Sequence, residues 1–100
     1  MVQFVYTFFT MTEIYCIVSG KVQNVRYRDY VQVSAGTVGV TGWVQNLPNG
    51  TVAVCAQGMP DQLKELVEFL HEGSLQAKVE GVSVEWRTTK RTADDFSIRY

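Results

Sequence analysis

Gly20-Lys21-Val22-Gln23-Asn24-Val25-Arg26-Tyr27-Arg28 separates two segments of different period. Upstream, Ile14, Cys16 and Val18 alternate with Glu13, Tyr15, Ile17 and Ser19, the two-residue period of a strand. Downstream, Tyr27, Tyr30, Val31, Ser34, Ala35 and Val38 recur at the spacing of one helix face. A short polar loop that opens a helix gathers unpaired backbone N–H groups at the positive end of the helix dipole, which favours an anion. Arg28 falls in the first helical turn, where a cation gains nothing from the dipole. A guanidinium there is accounted for if a phosphate sits between it and the loop amides. The helix itself is weak, because Val31, Val33, Gly36, Thr37 and Val38 are poor formers, so packing must hold it. Gly39 terminates it.

The rest of the chain extends this β–loop–α start into a fold. Residues 40–47 read as a second strand, Pro48-Asn49-Gly50 as a hairpin turn, and residues 51–57 as a third strand. Pro60 fits the first turn of a second helix, with Leu63, Leu66, Val67 and Leu70 as its apolar stripe, Glu65, Glu68 and Glu72 opposite, and Gly73 at its end. Val79, Val82, Val84 and Trp86 mark a fourth strand, irregular near Gly81. Residues 87–95 read as a polar connection, and Phe96, Ile98 and Tyr100 as a short final strand. The order is βαββαβ plus a short final strand. It predicts an α+β domain over residues 12–100, a ferredoxin-like α/β sandwich with two helices on one face of a mostly antiparallel sheet.

The totals narrow the function. One hundred residues make one domain with a modest core. A formal net charge of −1 argues against binding nucleic acid by phosphate neutralisation, and residues 51–57 lack the basic-aromatic signature of an RNA-recognition strand. His71 is the single histidine and no cysteine pair has zinc spacing, so neither a metal nor another cofactor is expected. Cys16 and Cys55 sit in apolar strand-like runs and read as buried, reduced thiols of a cytoplasmic protein; spacing alone leaves a disulfide open. Residues 1–11 form an uncharged apolar and aromatic extension, too short to span a bilayer and without a basic leader, so no membrane association is expected. Two readings stand for it: a tail or extra strand against the sheet, or a true start at Met11.

The chemistry follows from what is missing. One histidine assembles no nucleophilic triad, and His71 reads as a solvated residue at a helix C-terminus. Asp94 and Asp95 precede the last strand and read as a solvated turn, so no strong general base presents itself. Phosphoryl transfer fits that shortage, because it depends mainly on positioning and charge neutralisation. A carboxylate leaving group needs no proton near neutral pH, and an acyl phosphate supplies one. The loop residues Lys21, Val22, Gln23, Asn24 and Val25 would cradle the phosphate and Arg28 would neutralise it. Asn46 could orient a water, and it could also open the turn that follows, a compatible role. Gln23 reads either as a side chain solvating the loop or as a backbone donor to the cradle. Trp43 reads as sheet packing.

Two blocks carry a family resemblance. Gly20-x-Val22-Gln23-x-Val25-x-Tyr27-Arg28 resembles the phosphate-loop signature of the acylphosphatases, and Gly39-Val40-x-Gly42-Trp43-Val44-Gln45-Asn46 resembles their second signature. The separation of the blocks agrees, as does Asn49-Gly50-x-Val52 after them. The resemblance runs from about Thr12 to Tyr100. It implies a small cytoplasmic monomer that hydrolyses acyl phosphates to carboxylate and inorganic phosphate without metal, Arg28 binding the phosphate and Asn46 orienting the attacking water. Two positions depart from the pattern. Asn24 replaces the usual glycine, which is tolerable if the loop needs only left-handed φ and costs on the order of 1–3 kcal/mol if it needs a glycine-only conformation. Arg26 occupies an often small or apolar position. The alternative reading is a non-catalytic anion-binding or protein-interaction domain on the same fold. A further variant is the acylphosphatase-like module of a larger carbamoyl-transfer protein, against which the short length argues.

Overall fold

The computed structural model describes residues 11–89 and 93–100. In chain order they form β1 (Thr12–Lys21), α1 (Tyr27–Val38), β2 (Thr41–Asn46), β3 (Val52–Gly58), α2 (Pro60–Glu72), β4 (Lys78–Thr88) and β5 (Phe96–Arg99). The five strands lie in the order β4-β1-β3-β2-β5. Every neighbouring pair is antiparallel except β2–β5, which is parallel. This is the expected ferredoxin-like arrangement.

Period decides which side chains meet. Ile14, Cys16 and Val18 of β1, Val44 of β2 and Val52, Val54 and Ala56 of β3 share one sheet face. They pack in one cluster with Tyr27, Val31 and Ala35 of α1 and Leu63, Leu66 and Leu70 of α2. The weak helix α1 is therefore held by burial of its stripe, each large apolar side chain contributing roughly 1.5–3 kcal/mol.

The strand β3 is buried at every position, although helices cover only one side of it. On the other side Cys55 stands in register between Tyr15 and Trp43. Those rings meet edge to face at 6.2 Å, with Arg87 over Tyr15 at 4.6 Å and Arg99 over Trp43 at 4.3 Å. Aromatic bodies under cationic tips close this face while keeping charge in water.

The irregularity near Gly81 is a register shift. Ser19 opposes Gly81 but Gly20 opposes Val79, so Glu80 is an extra residue on β4. Gly20 has φ 118°, and a Cβ there would lie 2.2 Å from the Lys78 carbonyl oxygen. Only glycine lets the end of β1 turn so closely past β4 into the loop.

Two expectations change. The fourth strand continues through Arg87 and Thr88, which read as connection, because both pair with the start of β1 and Arg87 reaches Glu13 at 3.6 Å. The open cysteine question closes: both thiols are free and buried. Cys16 opposes Val54 while Cys55 opposes Tyr15, so the two thiols project from opposite sheet faces. The two readings of the N-terminal extension concern residues 1–10, which lie outside the described residues. No described helix is long and apolar enough to cross a membrane.

Candidate active site

The loop after β1 buries side chains and leaves backbone open. Val22 and Val25 are 1% and 5% exposed and anchor it in the core. Tyr27 follows them inward, its hydroxyl donating to the Leu70 carbonyl at 2.7 Å. Between these anchors Asn24 has φ 61° and Arg26 has φ 60°. Arg26 is the N-cap residue of α1, left-handed at ψ 27°, and its side chain makes no cap. Among the described residues, no carbonyl or side chain accepts from the N–H groups of Gln23, Asn24, Val25 or Arg26. Open donors at the positive end of a helix favour an anion. The Asn24 φ is the ordinary left-handed value, the one that asparagine tolerates best among residues with a side chain.

Side-chain bonds fix this loop to the rest of the fold. Gln23 Nε2 donates to the carbonyls of Leu47 and Thr51, both at 2.8 Å. The Gln23 side chain therefore does not solvate the loop: it ties the loop to the hairpin just beyond Asn46. On the other side Ser74 Oγ donates to the Val25 carbonyl at 3.1 Å.

Arg28 leaves the first turn of α1 and meets the C-terminal strand. Its Nη1 donates to the Arg99 carbonyl at 3.0 Å, and its guanidinium carbon lies 4.7 Å from the centre of the Tyr100 ring. It forms no ion pair with Asp29; among the described residues the ion pairs join Arg87 to Glu13 and Glu85. Asn46 ends β2 opposite Val52, and its Oδ1 is buried without a hydrogen-bond partner among the described residues. A buried acceptor left in that state normally costs about 1–3 kcal/mol, so an incoming donor has something to satisfy.

A cavity of about 350 Å³ joins these parts, lined by Val22, Asn24, Arg26, Tyr27, Arg28, Asp29, Asn46, Ile98 and Tyr100. It brings Arg28 and Asn46 together with Val22 and Asn24 of the loop. Lys21, Gln23 and Val25 do not line it: Lys21 ends β1 beside Lys78, Gln23 lies under the hairpin, and Val25 points into the core. Asp29, Ile98 and Tyr100 join the wall unforeseen. The parallel pairing of Val44 with Ile98 places β5 beside Asn46, and sequence alternation alone carries no sign of that neighbour. Among the described residues no three His, Cys, Asp or Glu side chains are grouped to hold a metal ion. The arrangement offers backbone donors, a forked cation and an amide to an oxyanion, with one carboxylate, Asp29, in the wall.

A model of the family described as acylphosphatase matches residues 14–98. An acylphosphatase of Marinobacter nauticus is 42% identical over 87 residues, covering 87% of this chain and 95% of that protein. The solved structure of an acylphosphatase from Coxiella burnetii superposes with a TM-score of 0.85 at 40% identity, over 90% of this chain and 94% of that one. The acylphosphatase from Bacillus subtilis gives 0.86 at 35% identity, over 89% and 99%.

Proposed function

The chain belongs to the acylphosphatase family, hydrolases of acyl phosphates, and on that premise we propose how its residues carry out the reaction. The phosphoryl group sits on the open N–H groups of the loop and the first turn of α1. The Arg28 guanidinium, held by the Arg99 carbonyl and Tyr100, turns its remaining donors to the phosphoryl oxygens. The Asn46 amide holds a water in line with the bond to be broken. The water oxygen bonds to phosphorus. The bond from phosphorus to the acyl oxygen breaks, and its electron pair leaves with the carboxylate. One water proton passes to a phosphoryl oxygen, giving carboxylate and inorganic phosphate. An amide cannot remove a proton, and none need be removed early in a loose transition state. No metal is required, because amides and guanidinium supply the charge neutralisation.

The observation that carries this reading is the convergence of Arg28 and Asn46 on one cavity beside unpaired loop donors. Residues 12–100 are on this reading one catalytic domain that acts as a monomer, and its unpaired thiols suit a reducing cytoplasm. The test is hydrolysis of benzoyl phosphate in excess EDTA, with Arg28→Ala alongside. Turnover should persist in EDTA and fall about 10²–10³-fold in the variant. Wild-type rates in a folded Arg28→Ala protein, or dependence on added metal, would overturn the mechanism.

A further inference from the structure

A second cavity, of about 420 Å³, adjoins the first and shares Arg26 and Asp29 with it. Its other walls are largely apolar: Val25, Tyr30 and Val33 from the loop and α1, and Leu75 from the turn after α2. Val33 is 69% exposed and Leu75 fully exposed. Single apolar residues on a surface need no explanation, but two facing one groove beside an active site do. Val33 is also a poor choice for an exposed helix position, where a straight-chain residue would favour the helix. The groove is built rather than incidental. Ser74 ties its turn to the Val25 carbonyl, and the Tyr30 hydroxyl donates to the Phe69 carbonyl at 2.7 Å.

We propose that this groove is an acyl subsite, which takes apolar acyl chains of about four carbons or more while the phosphoryl group occupies the first cavity. The inference rests on the acyl phosphate hydrolysis proposed above and names the substrate class within it. A molecule held by its phosphoryl end at Arg28 finds the groove across Arg26 and Asp29. Those two residues bring opposite formal charges to the shared wall, so the groove favours a neutral chain over a charged one. The Arg26 side chain can lay its methylenes along such a chain and keep its guanidinium in water.

The experiment is a series of linear acyl phosphates, acetyl through octanoyl, read as kcat/KM. Acetyl phosphate is too short to enter the groove and reports on the phosphate site. A fully buried methylene is worth roughly fourfold, so a half-open groove should give about twofold for each carbon that enters it, or about 8-fold from acetyl to hexanoyl, whose last carbons reach it. The double variant Val33→Ser/Leu75→Ser should flatten this slope, and Leu75→Ser alone should halve it on a logarithmic scale. Both positions are exposed, and a thermal melt verifies that each variant is folded. A flat series in the wild type, or an unchanged slope in the folded double variant, overturns the subsite while leaving hydrolysis intact. Failure of the wild type to turn over acetyl phosphate overturns the hydrolysis reading and the subsite with it.

Discussion

Asn24 and Arg26 hold the same left-handed φ two residues apart, yet they carry different costs. Asparagine is the residue with a side chain that best tolerates left-handed φ, so it suits the glycine position of the pattern. Arginine gains nothing comparable, and a residue with an ordinary Cβ spends roughly 1–2 kcal/mol there. Arg26 also sits at the positive end of α1 with no capping bond. Arg26→Gly should therefore raise stability by roughly 0.5–1 kcal/mol, the released strain exceeding the extra freedom that glycine brings to the unfolded chain. Urea unfolding of the two proteins measures it, and a loss of stability would mean that the Arg26 side chain makes contacts worth more than its strain. At this scale the sequence was a good guide to the placement of Arg28 and Asn46 on one cavity, since their motifs are local. It was a poor one for Asp29 and Tyr100, whose roles as wall residues depend on where β5 lies.

Elements meet at the site through Gln23. The loop donors and Arg28 belong to the β1–α1 connection, whereas Asn46 belongs to β2. The amide of Gln23 bridges the two by holding the carbonyls on both sides of the β2–β3 hairpin. Gln23→Met keeps length and removes both donors, so each carbonyl keeps only its backbone partner, the Gly50 N–H for Leu47 and the Leu47 N–H for Thr51. The expected loss is about 1–2 kcal/mol of stability. A second effect separates positioning from mere support: kcat for benzoyl phosphate should fall about tenfold as Asn46 loses its register with Arg28, while KM changes less. A matched loss of stability with unchanged kcat would reduce Gln23 to a structural tie. This bridge was not legible in the sequence, since glutamine in a polar loop carries no sign of a partner 24 residues away. The extension of β4 was hidden for a similar reason. Arg87 and Thr88 look like loop residues until their pairing with β1 is known. The periodic segments, by contrast, were readable, because a buried stripe must repeat with the period of its own element.

At the scale of the whole molecule, closure of both sheet faces has a chemical consequence at Cys16 and Cys55. Burial under the helices, with Cys55 adding to it, pushes the Cys16 thiol up to about 12. Burial beneath Tyr15 and Trp43, with Glu13 adding to it, pushes Cys55 up to about 11. Burial likewise raises the Tyr27 phenol. An unfolded thiol titrates near 9.0. Below pH 9 both states keep these protons and the thiols leave stability unchanged by pH. Between pH 9 and 11 the unfolded chain gives up both thiol protons while the folded chain keeps them, so stability is lost as pH rises. The slope approaches two protons, or about 2.7 kcal/mol per pH unit, and Tyr27 steepens it above pH 10. Unfolding in urea across pH 8–11 should show this decline, and Cys16→Ala should remove about half of the thiol contribution near pH 10. The folded protein should also resist thiol reagents at pH 8, reacting only as fast as it opens. Prompt labelling of the native chain, or an alkaline slope unaltered by Cys16→Ala, would show that solvent reaches the thiols and that the sheet is not closed on both faces.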